Sequence, residues 1–441
     1  MFKFQCRHHW SPNVQQRYCN CNYTRPEGMN EHAIRLRSLA PREFAKEIIS
    51  KNANDGIEDP FFVVDIDDLF YKVELLRKHF PRVKPYYAVK CNDNPVVLEV
   101  LAALDVGFDC ASIAEIEAII SLRVDPSRII YAHTQKHVSY LHRAWKLGVD
   151  LMTFDSADEL YKIKGHYPRA RLVLRLKVQN KKAWFRLGDK FGCSEGEAVE
   201  LLHLAKSLDL TVVGVCFHVG GGNEDASAFA TAIAAARRTF DAGRDIGFDI
   251  TLLDIGGGYP REKGCPPLFL ETADIVNECL AKHFPESYGV TIISEPGGFV
   301  VSSALSIYTK IIGKRMSDGS DGTNPSVRMY YINESMYKSF IMSFYNEDVI
   351  HPEPLTEVTG PMQPSMVWGI TCDGSDRIKS ACALPDMDVG NWLCFENMGA
   401  YSITITSPFN GFPNADIHYR ASKSVQERLR RKQIVSFLDT A

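Results

Sequence analysis

Basic charge is not in excess in this chain: 50 Lys and Arg face 54 Asp and Glu, for a net charge of −4 over 441 residues and a pI near 6.4. That balance offers no field for a nucleic acid backbone, and no long block of like charge suggests an electrostatic tail. Also missing are an apolar stretch of membrane-span length and, at the N-terminus, the continuous apolar segment of a secretory signal. The expected setting is the cytoplasm, with no nucleic acid and no membrane as partner. Twelve cysteines are present, yet they are not spaced as a small disulfide framework. Cys110, Cys216, Cys372 and Cys394 sit in apolar strands and loops, as suits a reducing compartment. Near the start, Cys6, His8, His9, Cys19 and Cys21 cluster, but Cys19-Asn20-Cys21 lacks the two-residue gap of a zinc knuckle. We assign no metal there and expect a disordered tail over 1–28. Lys3, Arg7, Arg17 and Arg25, with no acid before Glu27, give it a faint organelle-targeting flavour without an amphipathic helix.

What is there is a repeating alternation. Apolar strand-like runs at 85–90, 107–112, 128–132, 151–155, 171–176, 212–220, 252–258 and 291–297 are separated by helix-like segments such as Ala114-Glu115-Ile116-Glu117-Ala118-Ile119-Ile120. Eight such units predict an α/β fold, a (β/α)8 barrel whose active site lies at the C-terminal ends of its strands. A doubly wound open sheet is the competing architecture. Outside these units, runs at 60–64, 299–303, 329–332, 366–370 and 392–395, set among Pro, Gly, Asp and Asn, predict a second, mostly antiparallel β-domain. The Ser-, Asp- and Gly-rich stretch 316–326 reads as a mobile loop. The expected division is a barrel over 65–304 and a β-rich domain from 29–64 plus 305–441.

The barrel reading gathers Lys90, Asp109, His133, Asp155, Arg175, His218, Gly256, Gly257, Gly258 and Glu295 on one rim. Lys90 follows the apolar run Pro85-Tyr86-Tyr87-Ala88-Val89, where an amine can lose its proton and become a nucleophile. Taken alone it is a surface lysine with its head in water. Asp254-Ile255-Gly256-Gly257-Gly258 offers backbone N–H groups with no side chains in the way, as a phosphate cradle needs. His218, beside Gly220, Gly221 and Gly222, could stack on an aromatic ring, although a lone histidine there is more often a bonded core residue. Glu295, whose bland reading is a strand-end carboxylate paired with a surface base, could hold a pyridine nitrogen protonated. A Schiff-base lysine, a phosphate cradle, a stacking ring and an acid are jointly what pyridoxal phosphate requires.

At these residues the chain resembles the ornithine decarboxylase and antizyme inhibitor family of fold-type III pyridoxal-phosphate enzymes. The likeness runs from about residue 31 to 417. It rests on Tyr86-Tyr87-Ala88-Val89-Lys90-Cys91-Asn92, Gly107-Phe108-Asp109-Cys110-Ala111-Ser112, Phe217-His218-Val219-Gly220, Asp254-Ile255-Gly256-Gly257-Gly258, Trp368-Gly369-Ile370-Thr371-Cys372-Asp373-Gly374 and Phe395-Glu396-Asn397-Met398-Gly399-Ala400-Tyr401. The resemblance implies a homodimer with two composite sites in the polyamine branch of amino-acid metabolism. Lys90 would carry the cofactor, Glu295 would face its pyridine nitrogen and His218 would stack on its ring. Asp109, Glu115 and Arg175 would line the pocket, while Gly256, Gly257, Gly258 and Tyr401 would hold the phosphate. From the other subunit, Cys372 would return a proton to the carbon that loses carbon dioxide, and Asp373 would meet the distal end of the substrate. Lys190 and Asp376 would pair across the dimer.

Three positions depart from the family pattern. Gly298 stands where the family has the arginine of Glu-Pro-Gly-Arg, a lost charge-assisted contact to phosphate worth about 1.5–3 kcal/mol. Gly221 replaces a serine of the same site. Glu334 stands where the family's aspartate receives the distal ammonium of ornithine, and one methylene in a tight pocket discriminates by about 1–3 kcal/mol. The expected activity is L-amino-acid decarboxylation with a substrate shifted from ornithine, leucine being one candidate. A neutral chain would not repay desolvation of Glu334 and Asp373 unless one were protonated or turned away. The alternatives are an inactive regulator that binds antizyme and a genuine ornithine decarboxylase. The segment Tyr131-Ala132-His133-Thr134-Gln135-Lys136 replaces the family's Asn-Pro-Cys-Lys at the partner-binding stretch. The chain stops at Ala441 soon after a basic segment, so the degradation-prone extension of animal ornithine decarboxylases is expected to be absent and turnover slower.

Overall fold

The computed structural model describes residues 38–317 and 326–431. The expectations placed on the N-terminal tail and on most of the 316–326 loop lie outside the described residues.

Eight parallel strands close into a barrel in the order Val83–Ala88, Gly107–Cys110, Ile129–Tyr131, Leu151–Phe154, Arg171–Arg175, Thr211–Cys216, Leu252–Asp254 and Thr291–Ser294. Their interior is sealed by Ile130, Leu151, Val173, Cys216, Leu252 and Ile293. This packed layer makes the barrel a solid core, so chemistry is confined to its mouth. Helices cover the outside and are set by local caps. Asn94 accepts from the N–H groups of Val96 and Val97 at 3.0 and 3.2 Å ahead of Pro95, and Ser112 caps the next helix through the Glu115 N–H at 3.2 Å. Both caps lie just beyond strand ends, so they also fix the turn that carries Lys90 and the loop that follows the strand of Asp109.

The second layer is an eight-stranded mixed sheet that runs Pro352–Pro354, Trp392–Phe395, Leu305–Ser317, Val327–Ile332, Gln363–Trp368 and Arg377–Leu384, with Phe61–Asp65 beside Leu305–Ser317 and Asp416–Arg420 beside Phe61–Asp65. Most of its pairings are antiparallel; Val327–Ile332 with Gln363–Trp368 and Phe61–Asp65 with Asp416–Arg420 are parallel. Flanks far apart in the chain therefore share one sheet.

The strand expected at 299–303 is a correction: Gly298–Val301 is a short helix. Phe299, Val300 and Val301 are all buried, and an apolar run buried on every side has no period to separate helix from strand. Leu305–Ser317 escaped the sequence reading for a related cause. It is buried throughout its first half and exposed in its second, with a register shift between Ile311 and Gly313, so no single alternation runs along it. Among the described residues no helix is long and apolar enough to cross a membrane, no group of three or more His, Cys, Asp or Glu could hold a metal, and the cysteines are free thiols.

Candidate active site

Lys90 lies one step beyond the strand on which it was expected, in the 3-10 turn Val89–Cys91 that follows Val83–Ala88. The turn aims its amine at Asp109 on the adjacent strand, and the two form an ion pair. Asp109 is fully buried, and its Oδ1 has no partner. The lysine side chain keeps 40 % of its exposure, so it lies partly open at the barrel mouth while its amine pairs with the buried acid. Burial works against its charge, but the Asp109 and Glu295 carboxylates outweigh that and hold the ammonium above the ordinary lysine range. The pull of burial towards the neutral amine, expected from an apolar strand end, is outweighed because two acids converge on it.

The other rim acids are held in the opposite sense. Burial raises Glu295 well above the carboxylate range, reinforced by Asp109 and Asp254. Asp254 is pushed up to about 7, first by burial, and accepts the Gly256 N–H at 2.8 Å through Oδ1. Like charges this close cannot both ionise in a dry site, so the pair retains a proton at neutral pH. Glu115 is also pushed up to about 7 by burial, although the Ala111 N–H bonds its carboxylate. His218 is driven down to about 3, by burial first and then by Arg175, Lys90 and Arg261. Its Nδ1 accepts the Gly220 N–H at 3.0 Å, which leaves an uncharged ring.

Two glycines of the 256–258 run are obligatory. Gly256 has φ +64° and a Cβ there would strike the Phe217 carbonyl; Gly258 has φ +103° and a Cβ would lie 2.6 Å from Val219 and 2.7 Å from the Gly220 carbonyl. The loop thus folds tightly against the one that carries His218. Tyr401, at φ +57°, donates its backbone N–H to the Cys91 carbonyl at 2.8 Å, and Asn92 donates through Nδ2 to the Gly399 carbonyl at 2.8 Å. Two bonds therefore strap the 399–401 segment to the lysine turn. The phenol of Tyr401 is pushed up to about 12, chiefly by burial.

Not every rim residue enters this cluster. Asp155 accepts the Gly192 N–H at 2.8 Å, and His133 accepts the Gln135 N–H at 3.0 Å, so both organise loops. Arg175 lies 4.8 Å from the ring of Phe191, and Lys190 stands 5.0 Å from that ring. Cys372 is exposed, and with Asp373 it lines a cavity of about 570 Å³ bounded also by Tyr331, Trp368 and Asp376. None of Lys90, Asp109, His218 or Glu295 lines it. Asp373 bonds the Tyr337 hydroxyl. Asp376, expected to reach Lys190 of a second copy, is buried in its own chain, where it accepts from the Met336 N–H at 2.9 Å and the Thr371 hydroxyl at 2.6 Å. Glu334, 1 % exposed, also turns inward: Oε1 takes the Ser335 N–H and Oε2 the Ser339 hydroxyl, each at 2.8 Å, and burial pushes its carboxyl up to about 7.

Asp254 and Arg261 escaped the sequence reading. Asp254 looked like part of a glycine-loop motif, and only the barrel closure sets it beside Glu295. Arg261, three residues beyond Gly258, carried no signal beyond its nearness to that loop.

The donor set suits pyridoxal phosphate. There is a lysine partly open at the mouth, an orphaned buried carboxylate oxygen, an acid pair that keeps a proton, a neutral flat ring and a side-chain-free loop. A family described as "Pyridoxal-dependent decarboxylase, pyridoxal binding domain" matches residues 66–302. The chain is similar to rat (Rattus norvegicus) ornithine decarboxylase, 41% identical over 408 residues that cover 89% of this chain and 88% of that protein. Its similarity to antizyme inhibitor 2 of Xenopus laevis is 41% identity over 401 residues, with the same coverage. Among solved structures, the Paramecium bursaria Chlorella virus arginine decarboxylase superposes with a TM-score of 0.81 at 36% identity, covering 86% of this chain and 100% of that one.

Proposed function

The chain belongs to the pyridoxal-dependent decarboxylases of the ornithine and arginine type, which are carboxy-lyases that use pyridoxal phosphate, and from that membership we propose that it decarboxylates an L-amino acid with a neutral aliphatic side chain, leucine being the first to try. The inward turn of Glu334 carries the substrate reading. An acid whose oxygens are taken up by Ser335 and Ser339, and which burial pushes towards its neutral form, presents less negative charge to a distal ammonium. That lowers the desolvation penalty that an aliphatic chain would otherwise face beside two carboxylates.

Pyridoxal phosphate, when bound, supplies the electron sink for the pair left as carbon dioxide departs. The chain's own groups do the rest. Lys90 would hold the cofactor covalently, Glu295 with Asp254 would keep a proton beside its ring nitrogen, and His218 would offer an uncharged face. Asp109, Arg175, Gly256, Gly257, Gly258 and Tyr401 complete its binding, within a barrel unit that we place at 65–304. Cys372 and Asp373 come from a second copy of the chain, Cys372 as the proton donor to the substrate carbon and Asp373 at the substrate's far end. In support, the cavity that holds them is lined by none of the Lys90 cluster.

Carbon dioxide release from a panel of labelled amino acids, with leucine and ornithine included, tests the assignment, and Glu334→Asp should move preference towards ornithine. An unchanged preference sinks the pocket argument. Preference for ornithine by the unaltered protein identifies a genuine ornithine decarboxylase. Mixing Lys90→Ala with Cys372→Ala should restore about a quarter of the activity if sites are shared across a dimer. A second reading, a catalytically weak regulator, follows if the glycines at 221 and 298 leave the phosphate unheld, and an inert panel together with antizyme binding would establish it.

A further inference from the structure

Resting on the pyridoxal phosphate reading above, we infer that Arg261 supplies the guanidinium that holds the cofactor's phosphate, and that Gly221 and Gly298 are the space it occupies. A Cβ at position 298 would lie 2.7 Å from Arg261 Nε, 2.9 Å from Cδ and 3.0 Å from Cγ, and a Cβ at 221 would lie 3.6 Å from Nη2. The arginine stem therefore lies across Gly298 and its tip reaches Gly221. Its Cζ is 5.4 Å from the ring centre of Tyr401, a residue assigned to the cofactor in the reading above. Among the described residues no carboxylate pairs with this half-buried guanidinium. A fork of donors with no carboxylate partner, lying against Gly298 and Gly221, suits a phosphate dianion.

The support beneath it is built. Lys72, fully buried, donates to the carbonyls of Glu262 at 2.7 Å and Gly264 at 2.9 Å, and its ammonium stands 4.5 Å from the Phe299 ring. Those bonds grip the loop on the C-terminal side of Arg261 and set its backbone beside the helix that begins at Gly298. A side chain at 298 would have to displace that of Arg261 from this pose, so positions 298 and 261 compete for one space. The two glycines then stand for a relocated charge rather than a lost one.

Pyridoxal, which lacks the phosphate, separates this role from simple stacking on Tyr401. The full-length apoprotein is titrated with pyridoxal phosphate and with pyridoxal, following the visible absorption that Lys90 confers. Arg261→Met should weaken pyridoxal phosphate by ~10–100-fold and pyridoxal by less than ~2-fold. The exchange Arg261→Gly with Gly298→Arg should return the phosphate selectivity. Apoprotein melting temperatures check the fold, and Arg261→Gln and Arg261→Lys give the same ratio if Arg261→Met fails to fold. A selectivity that Arg261 variants leave unchanged, or that the exchange does not return, overturns the assignment. Wild-type protein that binds neither compound, or absorption that survives Lys90→Ala, sinks the cofactor reading itself. Lys90-dependent binding that is blind to Arg261 sinks only this inference.

Discussion

Lys90 is ion-paired to Oδ2 of Asp109, while Oδ1 of that same buried carboxylate has no partner. The ammonium is held by this acid and by Glu295 against the pull of burial. Asp109→Asn removes the nearer of the two charges, and one adjacent opposite charge shifts a titration by ~1–3 units. The pH midpoint for labelling Lys90 with an amine reagent in the apoprotein should fall by that amount. An unmoved midpoint would show that Asp109 does not govern the amine.

Glu334 sets a stability slope with pH. Its folded value of about 7 lies above the ordinary 4.5, so the native state binds more protons than the unfolded chain between those values. Stability should therefore be full below pH 4.5, decline through that window and level off above 7. Glu334→Gln keeps the size and removes the charge, with the Ser339 hydroxyl free to turn and accept. Urea unfolding at pH 5 and pH 8 should show the variant losing ~1–3 kcal/mol less than wild type between the two.

Lys72→Met leaves the Glu262 and Gly264 carbonyls without their buried donor. The expected cost is ~1–3 kcal/mol in denaturant unfolding. Affinity for pyridoxal phosphate should fall with it, since the loop that carries Arg261 is released.

Asp254→Asn should keep the bond to the Gly256 N–H but remove one of the carboxylates that raise Glu295. The Glu295 titration, read from the pH dependence of cofactor absorption, should move to lower pH. A shift to higher pH would mean that Asp254 stabilises the anion.

Much of the fold was legible along the chain because parallel barrel strands are short, apolar on every side and punctuated by helix caps such as Asn94 and Ser112. The rim acids and the lysine were legible because each closes such a strand. The sheet flanking the barrel was harder. In Gly298–Val301 the three apolar residues are all buried, and Leu305–Ser317 passes from buried to exposed across a register shift, so neither shows the single period that separates helix from strand.

Residue type and spacing alone determined the barrel, the glycine cradle and the presence of an amine, acids and an imidazole at successive strand ends, because these depend on local pattern. Tertiary structure decided the charge states and directions of those groups. Barrel closure brings Asp254 and Glu295 together to share a proton, Asp109 keeps Lys90 charged, Ser335 and Ser339 draw Glu334 inward, and the space at Gly298 admits Arg261. Each outcome depends on burial and on neighbours distant in the chain, and Coulomb and desolvation energies are set by distance in space, which residue order does not encode.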